Sequence, residues 1–92
     1  MNALQDVENA MARDASLARQ KASAARQRAT QERVSREIRT RYNAGRASSL
    51  DLIREEEGLI RIQEQEVRLW EAGMTNLTTI LRALGVDPVA DS

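Results

Sequence analysis

Apolar residues recur at intervals of three and four along two long stretches of the sequence, which is the period of an α-helix. The row in the first stretch is Leu4, Val7, Met11, Asp14, Ala18, Ala22, Ala25, Ala29 and Glu32, continued at a shifted phase by Val34, Ile38 and Tyr42. One row in the second stretch is Leu50, Ile53, Ile60, Val67, Met74, Leu77, Leu81 and Leu84, and a second is Leu52, Leu59, Ile62, Leu69 and Ile80. The pattern predicts two long helices with coiled-coil seams. Because the second stretch has two adjoining rows, we expect its helix to contact neighbours on two sides.

A single break separates the two stretches. Gly45 is the first Gly or Pro in the chain, and it suits the left-handed residue that ends many helices. Ser48 is a candidate N-cap for the next helix, and Asp51 stands where the acidic partner of a capping box would lie. A turn this short requires the chain to reverse. We therefore predict an all-α fold, a long antiparallel helical hairpin that self-associates into a bundle.

The predicted hairpin forms one domain that fills the chain. Arm one covers about 2–43, the turn about 44–48, arm two about 49–85 and a tail 86–92, because Gly85 followed by Pro88 indicates a helix end. Gly58 and Gly73 lie inside the second arm, where Gly costs roughly 1 kcal/mol relative to Ala. The periodic pattern runs through both glycines, so we interpret them as points of close packing.

The formal net charge of zero conceals two oppositely charged arms. Residues 1–41 contain nine basic and five acidic side chains, a net charge of +4, whereas residues 49–85 contain four basic and seven acidic ones, a net charge of −3. Opposite charge favours antiparallel pairing, although each exposed ion pair contributes only about 0–1 kcal/mol. The basic stretch from Arg19 to Arg41 is also compatible with a rod that binds nucleic acid. The acidic second arm and the scarcity of aromatic residues argue against that, and no nucleic-acid partner is expected.

The composition argues against an enzyme. The 92 residues include no His and no Cys, which removes the commonest acid–base group, zinc ligands and thiol nucleophiles. We predict no catalytic residue, no cofactor and no metal site. The N-terminus lacks a secretory signal pattern, and no apolar run reaches the roughly 20 residues that span a bilayer. As it stands, the chain is expected to be soluble.

The residues around the break resemble a known family. Arg41-Tyr42-x-x-Gly45 followed by Leu50-Asp51-Leu52-Ile53 is similar to the periplasmic turn of TolC-like outer-membrane efflux proteins. The segments 4–11 and 81–85 are similar to the start and end of the helical hairpin in that family's second repeat. The resemblance implies a fragment of a larger trimeric channel, whose membrane attachment is a β-barrel absent from this sequence. It places the hairpin in the periplasm.

The resemblance also implies roles for residues at the turn. The predicted docking site for a periplasmic adaptor, or membrane-fusion protein, consists of Tyr42, Asn43, Ala44, Gly45, Arg46, Ala47 and Ser48. Tyr42 and Asp51 are the implied gate and pore residues. Some homologues have a second acidic ring one position past the aliphatic triplet, where this chain has Arg54.

Two further expectations follow from the residues alone. A self-associating coiled-coil scaffold with no transport role is the alternative function. As an isolated fragment, the hairpin is expected to form a dimer with four helices, because the apolar stripe of the second arm is wider than one partner helix can cover.

Overall fold

The computed structural model describes residues 2–85, which form two α-helices joined by a short turn. Helix α1 spans Ala3–Asn43 and helix α2 spans Ser49–Ala83. The two helices pack as a hairpin, which confirms the all-α prediction. The predicted tail at 86–92, with Pro88, lies outside the described residues. Neither described helix contains a segment both long and apolar enough to span a bilayer.

Hydrogen bonds cap the outer ends of the two helices. Asn2 begins α1, since its side-chain Oδ1 accepts a hydrogen bond of 3.0 Å from the backbone N–H of Leu4. Gly85 follows α2 with φ of 83°, and its N–H donates to the carbonyl of Arg82 at 3.0 Å. The predicted helix end at Gly85 is therefore confirmed.

The described residues fall into two compact units, and each contains a segment of both helices. The first unit holds residues 2–21 and 68–85. Its buried side chains are Ala10, Leu17, Leu69 and Asn76. The Nδ2 of Asn76 donates to the carbonyl of Ala10 at 2.8 Å, while its Oδ1 is buried without a hydrogen-bond partner. A polar side chain thus occupies the helix interface of this unit.

The second unit is Ala22–Val67, and its helix interface is more polar. The guanidinium of Arg28 contacts the carboxylate of Glu66 at 2.7 Å and that of Glu32 at 2.9 Å. Gln31 Nε2 donates to the side chain of Glu55 at 2.7 Å and to its backbone carbonyl at 3.1 Å. Of these contacts, Arg28 with Glu66 is an ion pair between the arms, as the opposite charges of the arms led us to expect.

Glycines in α2 lie beneath long side chains of α1 in both units. A Cβ atom on Gly58 would lie 3.4 Å from Gln31 Nε2, and one on Gly73 would lie 2.7 Å from Lys21 Nζ. The prediction of close packing at both glycines is confirmed. In each unit a long polar side chain of α1 therefore crosses α2 close to the backbone of a glycine.

The burial pattern corrects the phase of the seam predicted for α1. Among the buried or half-buried residues of α1, one row recurs at a spacing of seven: Ala10, Leu17, Ala24, Gln31 and Ile38. The predicted row contained Met11, Ala18 and Ala25 and was therefore displaced by one residue in this part of α1, whereas its continuation through Val34 and Ile38 is half-buried as predicted. The displacement arose because alanines stand on several faces of α1, so its apolar positions do not single out one face, and the interface also accepts Gln31 and other polar groups. Asp14, the anomalous member of the predicted row, is exposed.

In α2 the two predicted rows face in different directions. The row that contacts α1 within each unit includes Leu52, Leu59, Ile62, Leu69 and Ile80, all buried or half-buried. We call this set, with the α1 residues of the preceding paragraph, the inner rows. On a neighbouring face, where Ile53, Ile60 and Trp70 each follow an inner-row residue by one position, large apolar side chains are about half exposed: Ile53, Ile60, Val67 and Met74, and also Trp70, Leu77 and Leu84. We call this second set the α2 outer row.

Candidate functional site

The turn at residues 44–48 ends α1 through paired backbone hydrogen bonds. Gly45 adopts φ of 73°, and its N–H donates to the carbonyl of Tyr42 at 3.0 Å. The N–H of Arg46 donates to the carbonyl of Arg41 at 2.7 Å. This pair of bonds around a left-handed Gly is the Schellman motif. Two carbonyls at the end of α1 are therefore satisfied without help from any other segment.

The far side of the turn begins α2 through a capping box. The backbone N–H of Asp51 donates to Ser48 Oγ at 3.1 Å, and the backbone N–H of Ser48 donates to Asp51 Oδ2 at 3.3 Å. The predicted N-cap and its acidic partner are confirmed. Because both ends of the turn are hydrogen-bonded, only Ala44 to Ala47 form the apex.

The apex presents backbone and a small number of polar side chains to solvent. Residues 41–46 are all exposed, Ala47 is half-buried and Ser48 is exposed. No atom lies within 4 Å of the position that a Cβ on Gly45 would occupy. A partner can therefore approach the backbone at Gly45 directly. The ring of Tyr42 is 42% exposed at the edge of the same surface.

The structure brings the predicted docking residues, Tyr42 to Ser48, together: Ala44 to Ala47 form the apex, and Tyr42, Asn43 and Ser48 border it. Asp51, implied as a pore residue, lies beside the apex with one carboxylate oxygen used by the capping box. Its exposed position leaves the carboxylate charge open to solvent. The capping role accounts for an acidic residue at this position, and the pore role stays a prediction.

A polar layer beneath the turn was not recognised in the sequence. It contains Ser35, whose hydroxyl lies 3.4 Å from the carbonyl of Glu55, and the ion pair between Arg39 and Glu56. Farther along the same unit, hydrogen bonds from Arg28 to Glu66 and to Glu32 raise the pKa of the Arg28 guanidinium above its ordinary value. Glu55 lies seven residues before Ile62, which lies seven before Leu69, and both belong to the inner rows. This spacing could have placed Glu55 at the helix interface.

Acidic side chains and an open groove also lie away from the turn. Among residues 2–85 no group of three or more acidic side chains is placed to hold a metal ion. An open groove in the second unit is lined by Ser23, Arg26, Gln27, Thr30, Gln31 and Ile62. None of these is a carboxylate that could act as a general base beside the Arg. We take the turn as the candidate functional surface because the predicted docking residues meet there around the open backbone of Gly45.

No protein-family model, curated protein or solved structure matches the chain. The resemblance of the turn to TolC-like proteins therefore depends on the residues quoted above.

Proposed function

We propose that this chain is the periplasmic hairpin of a TolC-like outer-membrane efflux or secretion channel, and that its turn docks the adaptor of a tripartite export pump. The observation that carries the proposal is the apex itself. Gly45 presents open backbone between a Schellman motif and a capping box. The Arg41-Tyr42-x-x-Gly45 sequence at this apex is the second support.

A hydrogen-bonded turn suits a docking role for an energetic reason. Association costs free energy for each loop or side chain that becomes ordered at the interface. The bonds of Gly45, Arg46 and Ser48 already fix the backbone of the apex, so little of that cost remains. A flexible glycine loop of the same length would lack this advantage.

The side chains at the apex indicate what kind of surface fits it. Arg41 and Arg46 are exposed on either side of Gly45, and Tyr42 adds a half-exposed ring. Guanidinium groups bind carboxylates and carbonyls through paired hydrogen bonds. The fitting partner is a protein tip with acceptor groups around a small-residue contact, as the apex of another helical hairpin would provide.

The channel assignment adds three further elements to the proposal. The parent assembly is a trimer, the hairpin lies in the periplasm, and the membrane is reached only through a barrel outside this sequence. In that trimer Tyr42 helps hold the closed state and Asp51 narrows the pore. Repeated around a narrow opening, exposed Asp51 carboxylates favour cations there.

Site-directed crosslinking to purified periplasmic adaptor proteins tests the docking proposal. The chain has no native cysteine, so a single Ala44→Cys substitution places one thiol at the apex. A second protein with Glu64→Cys, on the exposed side of α2, is the matched control. We expect the thiol-reactive crosslinker to join the adaptor to residue 44 and not to residue 64. Equal yields from both positions, or none from residue 44 with any adaptor, would contradict docking at the apex.

The Gly45→Asn variant separates docking from folding. Asn tolerates the left-handed conformation better than other residues with a side chain, and space around Gly45 is open. The hairpin should therefore keep its helicity, while the added amide obstructs contact with the backbone. We expect a loss of crosslinking from Ala44→Cys in this background, with an unchanged circular dichroism spectrum.

A coiled-coil scaffold without a transport role is the second candidate, and the exposed α2 outer row favours it. In a scaffold, the apolar side chains at the surface bind other helices and the apex has no partner. This function predicts that Gly45→Arg leaves association intact, whereas Leu77→Asp or Leu81→Asp abolishes it. The docking function predicts sensitivity at Gly45 in a hairpin that remains folded.

A further inference from the structure

We propose that α2 packs on α1 in two alternative phases, one residue apart, within the unit that holds residues 2–21 and 68–85. The structure shows one phase, in which Asn76 faces α1. In the second phase, α2 turns its exposed apolar face toward α1. The inference goes beyond the proposed function and does not depend on adaptor docking, because it concerns segments far along the chain from the turn.

The first observation is that α2 in this unit buries the less apolar of two neighbouring faces. The inward side chains are Leu69, Gly73, Asn76 and Ala83, all buried or half-buried. The residues one position later are Trp70, Met74, Leu77 and Leu84, which are 61%, 47%, 46% and 62% exposed. In each of these pairs the exposed side chain is the larger one. Burial of apolar area alone would therefore place the exposed face at the interface.

The buried Asn76 side chain adds a cost to the observed phase. It is 1% exposed, and its Nδ2 donates to the carbonyl of Ala10, while its Oδ1 is buried without a hydrogen-bond partner. A buried acceptor without a donor loses the hydrogen bonds that water would supply. When α2 turns by one residue, Leu77 takes the place of Asn76 and the amide reaches solvent. The second phase therefore removes this cost.

The facing side chains of α1 suit either face of α2 because they are small or flexible. Ala10 lies against Asn76, so a larger side chain at that place meets only a methyl group. The Lys21 side chain crosses Gly73, where a Cβ atom would lie 2.7 Å from its Nζ. That contact ends in a flexible chain, which moves aside when Met74 takes the place of Gly73. Close packing at Gly73 thus favours the observed phase, and apolar area favours the second.

One extra residue in a single turn of α2 converts the observed phase into the second. Such π-type turns occur within otherwise regular α-helices. Consecutive residues of a helix are separated by about 100°, so an extra residue ahead of Leu69 moves each exposed side chain to the place of the residue before it. Trp70 then takes the place of Leu69, which is 6% exposed in the structure. The indole ring therefore moves from a mostly exposed place to a buried one.

The two phases give this segment of α2 two different surfaces. The observed phase exposes Trp70, Met74 and Leu77, whereas the second exposes the amide of Asn76. The second phase is the minor one, at about 0.1–10% of the chains, the range usual for such alternative states. A partner that binds either surface shifts the population toward the phase that presents it. The segment is therefore a conformational switch within one chain.

Trp70 is the only tryptophan in the chain and reports the phase directly. In Asn76→Asp at neutral pH the carboxylate is strongly disfavoured at the buried place, so the second phase should become the major one. Quenching of Trp70 fluorescence by acrylamide should then fall at least about threefold, because a third of the chains or fewer keep the ring exposed. The circular dichroism spectrum should stay helical. Leu69→Asn should give the same result without a charge, since it weakens only the observed phase.

Addition of Leu77→Asp to Asn76→Asp closes both phases, since either one then buries a carboxylate. This double variant should lose helicity, whereas Leu77→Asp alone should stay helical with Trp70 exposed. An equal loss of helicity in Asn76→Asp and in the double variant overturns the proposal. So does a helical Asn76→Asp or Leu69→Asn chain in which Trp70 is quenched as in the original. Protection of Trp70 that grows with protein concentration also overturns it, because a second copy would then cover the ring.

Discussion

The glycines of this chain allow one substitution to be tested in two settings with opposite predicted effects. Gly58→Ala adds a methyl group inside α2, where its nearest neighbours are Gln31 Nε2 at 3.4 Å and Gln31 Cδ at 3.5 Å. These distances are ordinary van der Waals contacts, so the methyl group fits without displacement. Gly45→Ala adds the same group in open space, but at φ of 73°. The left-handed backbone conformation alone therefore destabilises the folded state of Gly45→Ala.

The magnitudes follow from helix propensity and backbone strain. Ala is favoured over Gly inside a helix by roughly 1 kcal/mol, so Gly58→Ala should raise the free energy of unfolding by about that amount. A left-handed conformation costs an L-residue about 1–2 kcal/mol, so Gly45→Ala should lower it by about 1 kcal/mol. For a domain of this size, each change corresponds to about 4–8 °C in melting temperature. Circular dichroism melts of both variants at one protein concentration measure the difference.

Two results would refute the reasoning. A melting temperature for Gly58→Ala several degrees below that of the original chain would mean that the Gln31 side chain cannot move away from the added methyl group. Its hydrogen bonds to Glu55 would then be what holds it against α2. An increase for Gly45→Ala would mean that the turn does not use a left-handed residue. Gly45→Asn provides the control, because Asn accepts the left-handed conformation at lower cost.

Three further substitutions probe other parts of the structure. Ser48→Ala removes the N-cap bond to the N–H of Asp51 and should cost about 1 kcal/mol in a thermal or urea melt; an unchanged midpoint would show that the capping box is unimportant. Asn76→Asp places a carboxylate at a position only 1% exposed. Its pKa would be raised above the unfolded value of about 3.9, so the destabilisation should grow as pH rises from 4 to 7, reaching about 2–4 kcal/mol; a cost independent of pH would contradict this. Leu69→Ala should cost about 2–4 kcal/mol because Leu69 is buried, whereas Met74→Ala, at 47% exposure, should cost less than about 1 kcal/mol under dilute conditions. Equal losses would show that the inner and outer rows are misassigned.

Local signals in the sequence predict the fold well, because the hairpin depends on local chemistry. Gly45, Ser48 and Asp51 form the turn through bonds between residues at most five positions apart. Such bonds require no knowledge of distant contacts. Helix periodicity over dozens of residues is equally local. The turn and the two helices could therefore be predicted from the sequence alone.

The sequence did not predict in the same way which face of α1 packs against α2. Apolar content points to Met11 and Ala18 as interface residues of α1, yet Ala10 and Leu17 are the buried ones. The interface is chosen by pairing across the helices, in which Arg28 and Gln31 find partners in α2. A polar side chain that is satisfied by a distant residue cannot be recognised from hydrophobicity alone. The same limitation concealed Asn76, which bonds to Ala10 across 66 positions.

The reversal of the chain at Gly45 is the central claim, and a distance measurement between the arms tests it most directly. Spin labels on exposed residues 33 and 63, with labelled chains diluted into unlabelled protein, report the intramolecular separation by pulsed electron resonance. Packed helices lie about 8–10 Å apart between axes, so the hairpin predicts a label distance below about 25 Å. A continuous helix through Gly45 would place these residues about 45 Å apart, at 1.5 Å per residue. A distance near that larger value would contradict the account.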